Sequence, residues 1–195
     1  MIKFFPSNSR LPPRIYQSDE LKKNPVDIQL AEIINTFLLK KIESHQSDET
    51  YSDEYTYSAP PPISLEDYCL RYMKYLTTER SVYILSLIYL DRYFKIHPQK
   101  KLTPLNTFMY LTCSLLVAYK FLIDDIHDTR LPISSGGLNA HIDTLSGVLD
   151  LMKLHRFEIK FLIELDYRLF VSVEEYNDFS CSIAHNGGAD CREVR

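Results

Sequence analysis

The chain has 195 residues, 45% hydrophobic and 25% charged, which suits one domain with tails and excludes the disordered and fibrous classes. Its net charge is −4 and no stretch gathers five or more lysines and arginines, so neither nucleic acid nor a membrane surface is expected as a partner. Cys69, Cys113, Cys181 and Cys191 show no CxxC spacing, so neither a disulfide framework nor a zinc site is expected.

The opening Met1-Ile-Lys-Phe-Phe-Pro6 breaks off before an apolar signal core could form, which reads as an intracellular protein, cytoplasmic or nuclear. Residues 1–24 are polar, contain Pro6, Pro12 and Pro13 and lack periodicity, so a mobile arm is expected. Asn24 followed by Pro25 announces a helix over 25–44, with the apolar stripe Leu30, Ile33, Ile34, Phe37, Leu38 and Ile42. Residues 45–62 hold Asp48, Glu49, Asp53 and Glu54 without a base and end in Pro60-Pro61-Pro62, the pattern of a solvated acidic linker.

Ser64-x-x-Asp67 reads as a capping box, with Ile63 placed to staple onto Tyr68. The second helix that it starts has Leu65, Tyr68, Cys69, Tyr72 and Leu76 as core candidates. A third, about Ser81–Phe94, is apolar nearly all round, as is a fourth from Thr103-Pro104 to about Ile123; helices of this kind must be surrounded by others. The fourth carries Lys120 as its one charge, yet Thr107, Thr112 and Ser114 interrupt it, so it is expected as a buried central helix and not a membrane span. Asp124–Asp143, with Pro132 and Gly136-Gly137, reads as a long irregular loop. A fifth helix covers about Leu149–Asp166, with Leu151, Leu154, Phe157, Phe161, Leu162 and Leu165 as its stripe. A sixth starts at the capping box Ser172-x-x-Glu175 and ends at Asn186-Gly187. No strand-like alternation with hairpin turns occurs, so the predicted fold is all-α.

Catalytic motifs are missing: there is no G-x-S-x-G, Walker A sequence, H-E-x-x-H or G-x-G-x-x-G, so no enzyme and no cofactor is expected. His155-x-x-Glu158 has the reverse order of the ligand pair used in di-metal helical bundles, and no metal site is expected. Three charges nevertheless stand where periodicity calls for carbon. Counting 100° per residue from Leu154, the fifth stripe spans about 300° to 80° and Glu158 falls near 40°. Lys120 interrupts one apolar helix and Asp91 ends another. Buried charges need partners. For Lys120 and Glu158 two readings stand: they pair inside the fold, or they edge an apolar groove and hold a partner's backbone.

Leu87-Ile-Tyr-Leu-Asp91-Arg92, Val117-Ala-Tyr-Lys120-Phe121 and Phe157-Glu158-x-x-Phe-Leu162-x-x-Leu165-Asp-Tyr-x-Leu169 together resemble successive signatures of a cyclin box. Ser64–Tyr75, Asp124-Asp125 and Gly136-Gly137 look like the single-box phosphate-response class, the P- or U-type cyclins. The resemblance covers about Ile63–Phe179 and implies five helices around a central buried helix over 63–185, with an additional N-terminal helix before them and a tail over 186–195. It implies a regulatory subunit that binds and activates a cyclin-dependent protein kinase by holding its C-helix in the active position. Lys120 and Glu158 would contact backbone at that C-helix and its preceding loop. Val117, Phe121, Leu162 and Leu169 match the apolar pocket, and Asp91 matches an internal partner of an arginine, for which Arg71 is the candidate. The stretch Asn139–Lys153 is longer than the family pattern, and little chain follows the sixth helix, which leaves no room for a second repeat. The alternative reading is a cyclin-fold adaptor for transcription or another non-kinase partner.

Overall fold

The computed structural model describes residues 24–45, 51–59, 61–76, 78–123 and 151–188. The expected arm, the loop after Ile123 with its paired aspartates and glycines, most of the insertion, and Cys191 lie outside the described residues. Among those described there are six helices and no strand: α1 Pro25–His45, α2 Leu65–Leu76, α3 Arg80–Ile96, α4 Thr107–Ile123, α5 Leu151–Glu164 and α6 Val173–Gly187.

The helix starts follow from local chemistry. Asn24 Oδ1 accepts the Val26 N–H at 3.1 Å, Ser64 Oγ accepts the Asp67 N–H at 3.0 Å and Ser172 Oγ accepts the Glu175 N–H at 3.2 Å, each satisfying a donor that the first turn cannot. At the far end Gly188 adopts φ 75° and returns its N–H to Ala184 and His185 carbonyls, a left-handed stop that suits glycine. α4 departs from expectation. Pro104 opens a turn in which the Asn106 and Thr107 N–H groups return to the Thr103 carbonyl at 3.2 and 3.0 Å, and the regular helix begins at Thr107.

The core is centred on α3 and α4, which pack along one another; α5 lies against α4, α6 against α3, and α1 bridges α2 and α6. Residues Val82–Leu90 and Thr107–Tyr119 are buried without a break. The hydroxyls that interrupt the apolar run of α4 are all satisfied within the core. Thr112 Oγ1 lies 2.6 Å from the Tyr68 hydroxyl and 3.3 Å from that of Tyr72. Ser114 Oγ donates to the Leu111 carbonyl at 2.9 Å and Thr107 Oγ1 to that of Thr103 at 2.5 Å, the back-bonding by which a helix buries small polar residues. Among the described residues no helix is long and apolar enough to cross a membrane.

The solvated linker is corrected over 51–59, which is docked as a strap. Tyr55 is 4% exposed and stacks on Phe157 with centroids 3.6 Å apart; the aromatic contacts continue through Tyr110 and Tyr93 to Phe161. Asp53 accepts hydrogen bonds from the Tyr55 N–H at 2.9 Å, the Thr56 hydroxyl at 2.8 Å, the Tyr110 hydroxyl at 3.0 Å and Asn106 Nδ2 at 3.3 Å. Glu54 does meet a base, Lys160 of α5, whose bond holds the Glu54 carboxyl below the usual range. A strap this short has no period to read, and its partners lie on helices far along the chain.

Candidate partner-binding face

The last turn of α4 delivers Lys120 and Phe121; α5 crosses it and delivers Glu158 and Leu162; the connection to α6 delivers Leu169. Lys120 Nζ stands 2.5 Å from Glu158 Oε1. Of the two sequence readings, internal pairing is therefore realised, but at a rim: the lysine side chain is 29% exposed and the carboxylate 7%. His155 Nδ1, one helical turn back, lies 3.7 Å from Glu158 Oε2. Beside the pair Phe121 is exposed, whereas Leu162 and Leu169 are half-buried against the core.

Val117 is corrected. It is 2% exposed and offers almost no surface; a position one turn before Lys120 on an all-round buried helix supports the face from beneath.

Asp91 does sit inside the fold, but its partner is not Arg71. Lys41 of α1 reaches one carboxylate oxygen at 2.8 Å and Lys95 the other at 2.7 Å. Burial raises the Asp91 carboxyl, but the two lysines outweigh it and hold it below the usual range. Arg71 is half-buried on α2, beside Tyr72. Lys95 stands one helical turn from Asp91, whereas Lys41 was out of view because α1 reads as an appendage to the helices that follow it, yet it packs against α2 and α6.

Exposed apolar side chains on α5 and just after it had no place in the sequence reading. Ile159 and Ile163 are exposed on α5, at about 140° and 180° from Leu154, where a solvated face calls for polar residues. That misplacement was a legible signal. Tyr167, 65% exposed, follows α5 at φ 54°, as does Asp166 before it. Left-handed backbone is costly for a tyrosine and persists only where the surroundings impose it. They do so from α3: Arg92 Nη1 donates to the Arg168 carbonyl at 2.7 Å and Nη2 to that of Phe170 at 2.9 Å, with the Glu175 carboxylate bridging Nε and Nη2 at 3.2 and 2.6 Å. The Tyr89 hydroxyl adds a bond to the Leu169 carbonyl at 2.8 Å.

The described residues contain no group of three or more His, Cys, Asp or Glu placed to hold a metal ion, and Cys69, Cys113 and Cys181 are free thiols. Burial pushes the Cys69 thiol up to about 12, far from a reactive thiolate.

This arrangement, an all-α bundle around two buried helices with a Lys–Glu pair on its rim, coincides with a family model for cyclins, which matches residues 35–169. The chain belongs to the cyclin family. Cyclins are regulatory, non-catalytic proteins. The matched span begins inside α1 and ends before α6. Cyclin-U4-3 of Arabidopsis thaliana is 25% identical over 173 residues, which cover 83% of this chain and 74% of that protein. The PHO85 cyclin-like protein psl1 of Schizosaccharomyces pombe is 26% identical over 180 residues, 82% of this chain and 70% of its own. Cyclin-P3-1 of Oryza sativa subsp. japonica is 29% identical over 119 residues, 61% of this chain and 45% of its own. Two of these relatives carry U- and P-type names and the third is named for PHO85, and the cyclin spans about half the length of the rice protein and more of the other two.

Proposed function

We propose that this cyclin binds a cyclin-dependent protein kinase and activates it by holding the kinase C-helix in its inward position, with no phosphoryl transfer of its own. The observation that carries the reading is the Lys120–Glu158 pair at the rim of the bundle, with His155 beside it, the exposed Phe121 and Ile159 next to the two charges in sequence and Leu162 one turn beyond Glu158. A lysine has three donors and Glu158 takes one at Oε1, so an incoming backbone carbonyl can be bound without dismantling the pair. Apolar contact around a desolvated charge is the composition of an interface hot spot. Activation then follows from population shift: a cyclin that binds only the inward C-helix favours the Lys–Glu ion pair that positions phosphate in the kinase. Moving such an equilibrium from 1:99 to 99:1 takes about 5.5 kcal/mol of differential affinity. One relative is named for PHO85, and a partner of that kind is the first to try.

The test is affinity purification of the full chain, identification of the co-purifying kinase, and measurement of its activity with and without the cyclin. A kinase that co-purifies and is faster with the cyclin present is the expected result. Recovery of no kinase, or ATP turnover by the cyclin freed of every kinase, would sink the proposal.

A further inference from the structure

Where the end of α3 meets the connection between α5 and α6, Arg92, Lys95 and Ile96 face residues 167–170 across an open groove of about 540 Å³. The lining contains no acidic residue. It does contain apolar side chains left largely in water: Phe170 is 77% exposed and Ile96 is exposed as well. The cations have partners, and each partner leaves something over. Lys95 is bonded to Asp91, which Lys41 already neutralises. The Arg168 guanidinium meets Asp166 through Nε at 3.5 Å, with both side chains exposed among the described residues, so its outer edge faces solvent. Arg92 spends its donors on Glu175 and two carbonyls and acts as the rigid wall. Lys41, Arg92, Lys95 and Arg168 thus share the carboxylates of Asp91, Asp166 and Glu175. This leaves the groove with positive character on a chain whose net charge is −4.

We propose that this groove docks a short acidic peptide segment of another protein, with a carboxylate against Arg168 and Lys95 and an aromatic or branched side chain over Ile96 and Phe170. Charge complementarity favours an anion, and the exposed apolar floor favours one that brings carbon with it, which a small inorganic anion does not. A nucleic acid is disfavoured by the net negative chain. The proposal does not rest on the kinase reading: Arg92, Lys95, Ile96, Arg168 and Phe170 are outside the residues assigned to that face, and Leu169 borders both.

The test uses the full chain as bait for a random heptapeptide library displayed on phage, followed by anisotropy titration of a labelled synthetic peptide with the enriched sequence. Enrichment of Asp or Glu beside an aromatic or branched residue is expected, with affinity that falls as salt rises. Arg168→Glu and Phe170→Ser should each weaken binding about tenfold with unchanged melting, because both side chains are exposed, whereas Lys120→Ala should leave peptide binding unaltered. The proposal is overturned by failure to enrich any acidic and apolar motif, by binding insensitive to Arg168→Glu, or by binding lost in Lys120→Ala but not in Phe170→Ser, which would move the peptide to the kinase face. Concentration-dependent self-association abolished by Arg168→Glu would give the groove to a second copy and overturn it equally.

Discussion

Two carboxylates break the apolar pattern of this cyclin, Asp91 half-buried and Glu158 buried, and their surroundings give them different work. Asp91 is met on both oxygens by lysines, one of them from α1, so it fastens the N-terminal helix to the bundle. Glu158 is met by a lysine that remains 29% exposed, beside the exposed Phe121 and Ile159. A misplaced charge in a helical stripe therefore signals a partner, and what stands around the pair tells whether that partner completes the fold or prepares a surface.

The largest loss of stability is expected at Asp91. Replacing it with Lys sets three cations together where Lys41 and Lys95 now converge, and loss of the pairing should cost about 3–5 kcal/mol. Thermal unfolding should show the loss, while kinase affinity per folded molecule stays near wild type. An Asp91→Lys protein with unchanged melting and no kinase binding would reverse the roles of the two carboxylates. The strap belongs on the structural side: Tyr55→Ala removes a ring stacked on Phe157 and should cost roughly 3 kcal/mol, read in the same melting experiment and as new protease cleavage within 51–59. Wild-type stability of that variant would return the segment to the solvated class.

At the rim, Lys120→Ala and Glu158→Ala should each lose about 2–5 kcal/mol of kinase affinity, and a titration against the co-purified kinase measures it. Their effects on the free cyclin should differ. Removing the lysine strands a carboxylate that is 7% exposed and should cost about 1–3 kcal/mol, whereas removing the glutamate leaves an ammonium able to turn to water. If the two substitutions destabilise equally and the double variant recovers the loss while kinase affinity is untouched, the pair is structural, as Asp91 is.

Acid gives the smallest effect. Asp91 is held below the usual carboxylate range, and so is Glu164, where burial raises the carboxyl but the Lys100 ammonium and the Tyr93 hydroxyl outweigh it. A carboxyl depressed in the folded state binds its proton more readily when unfolded. Both groups therefore contribute stability that is full above their unfolded values of about 4 and is lost as pH falls through the lower folded values. Asp91→Asn should flatten the decline of melting temperature below about pH 4; a decline identical to wild type would show that Asp91 takes no part in it.

What was legible from the chain alone was what depends on neighbours in sequence. Asn24, Ser64 and Ser172 cap where their local patterns require, and the unbroken apolar runs of α3 and α4 announce burial. The identity of misplaced charges was legible too, because periodicity singles out Asp91, Lys120 and Glu158. The pairing of Lys120 with Glu158 was legible as one of two readings, but partners far along the chain were harder to read. Lys41 reaches Asp91 across 50 residues and Glu54 reaches Lys160 across 106, and such pairings are set by how helices cross, which no local pattern encodes. Val117 failed for a related reason, since a place in a motif fixes the helix face but not whether the neighbouring helix covers it.

The α1–α6 contact also sets a schedule. Lys40 Nζ donates to the Asn186 carbonyl at 3.2 Å across 146 residues, and Gly187 lies so close to Ile33 that an added Cβ would stand 3.0 Å from its Cγ1. During synthesis α1 emerges first, so at ribosomal speed it waits roughly 7–30 s for α6 to follow. In that interval the face later covered by α6, with Ile33 and Phe37 on it, is exposed on the nascent chain while α2 covers another. Closure of α6 onto α1 ends that exposure.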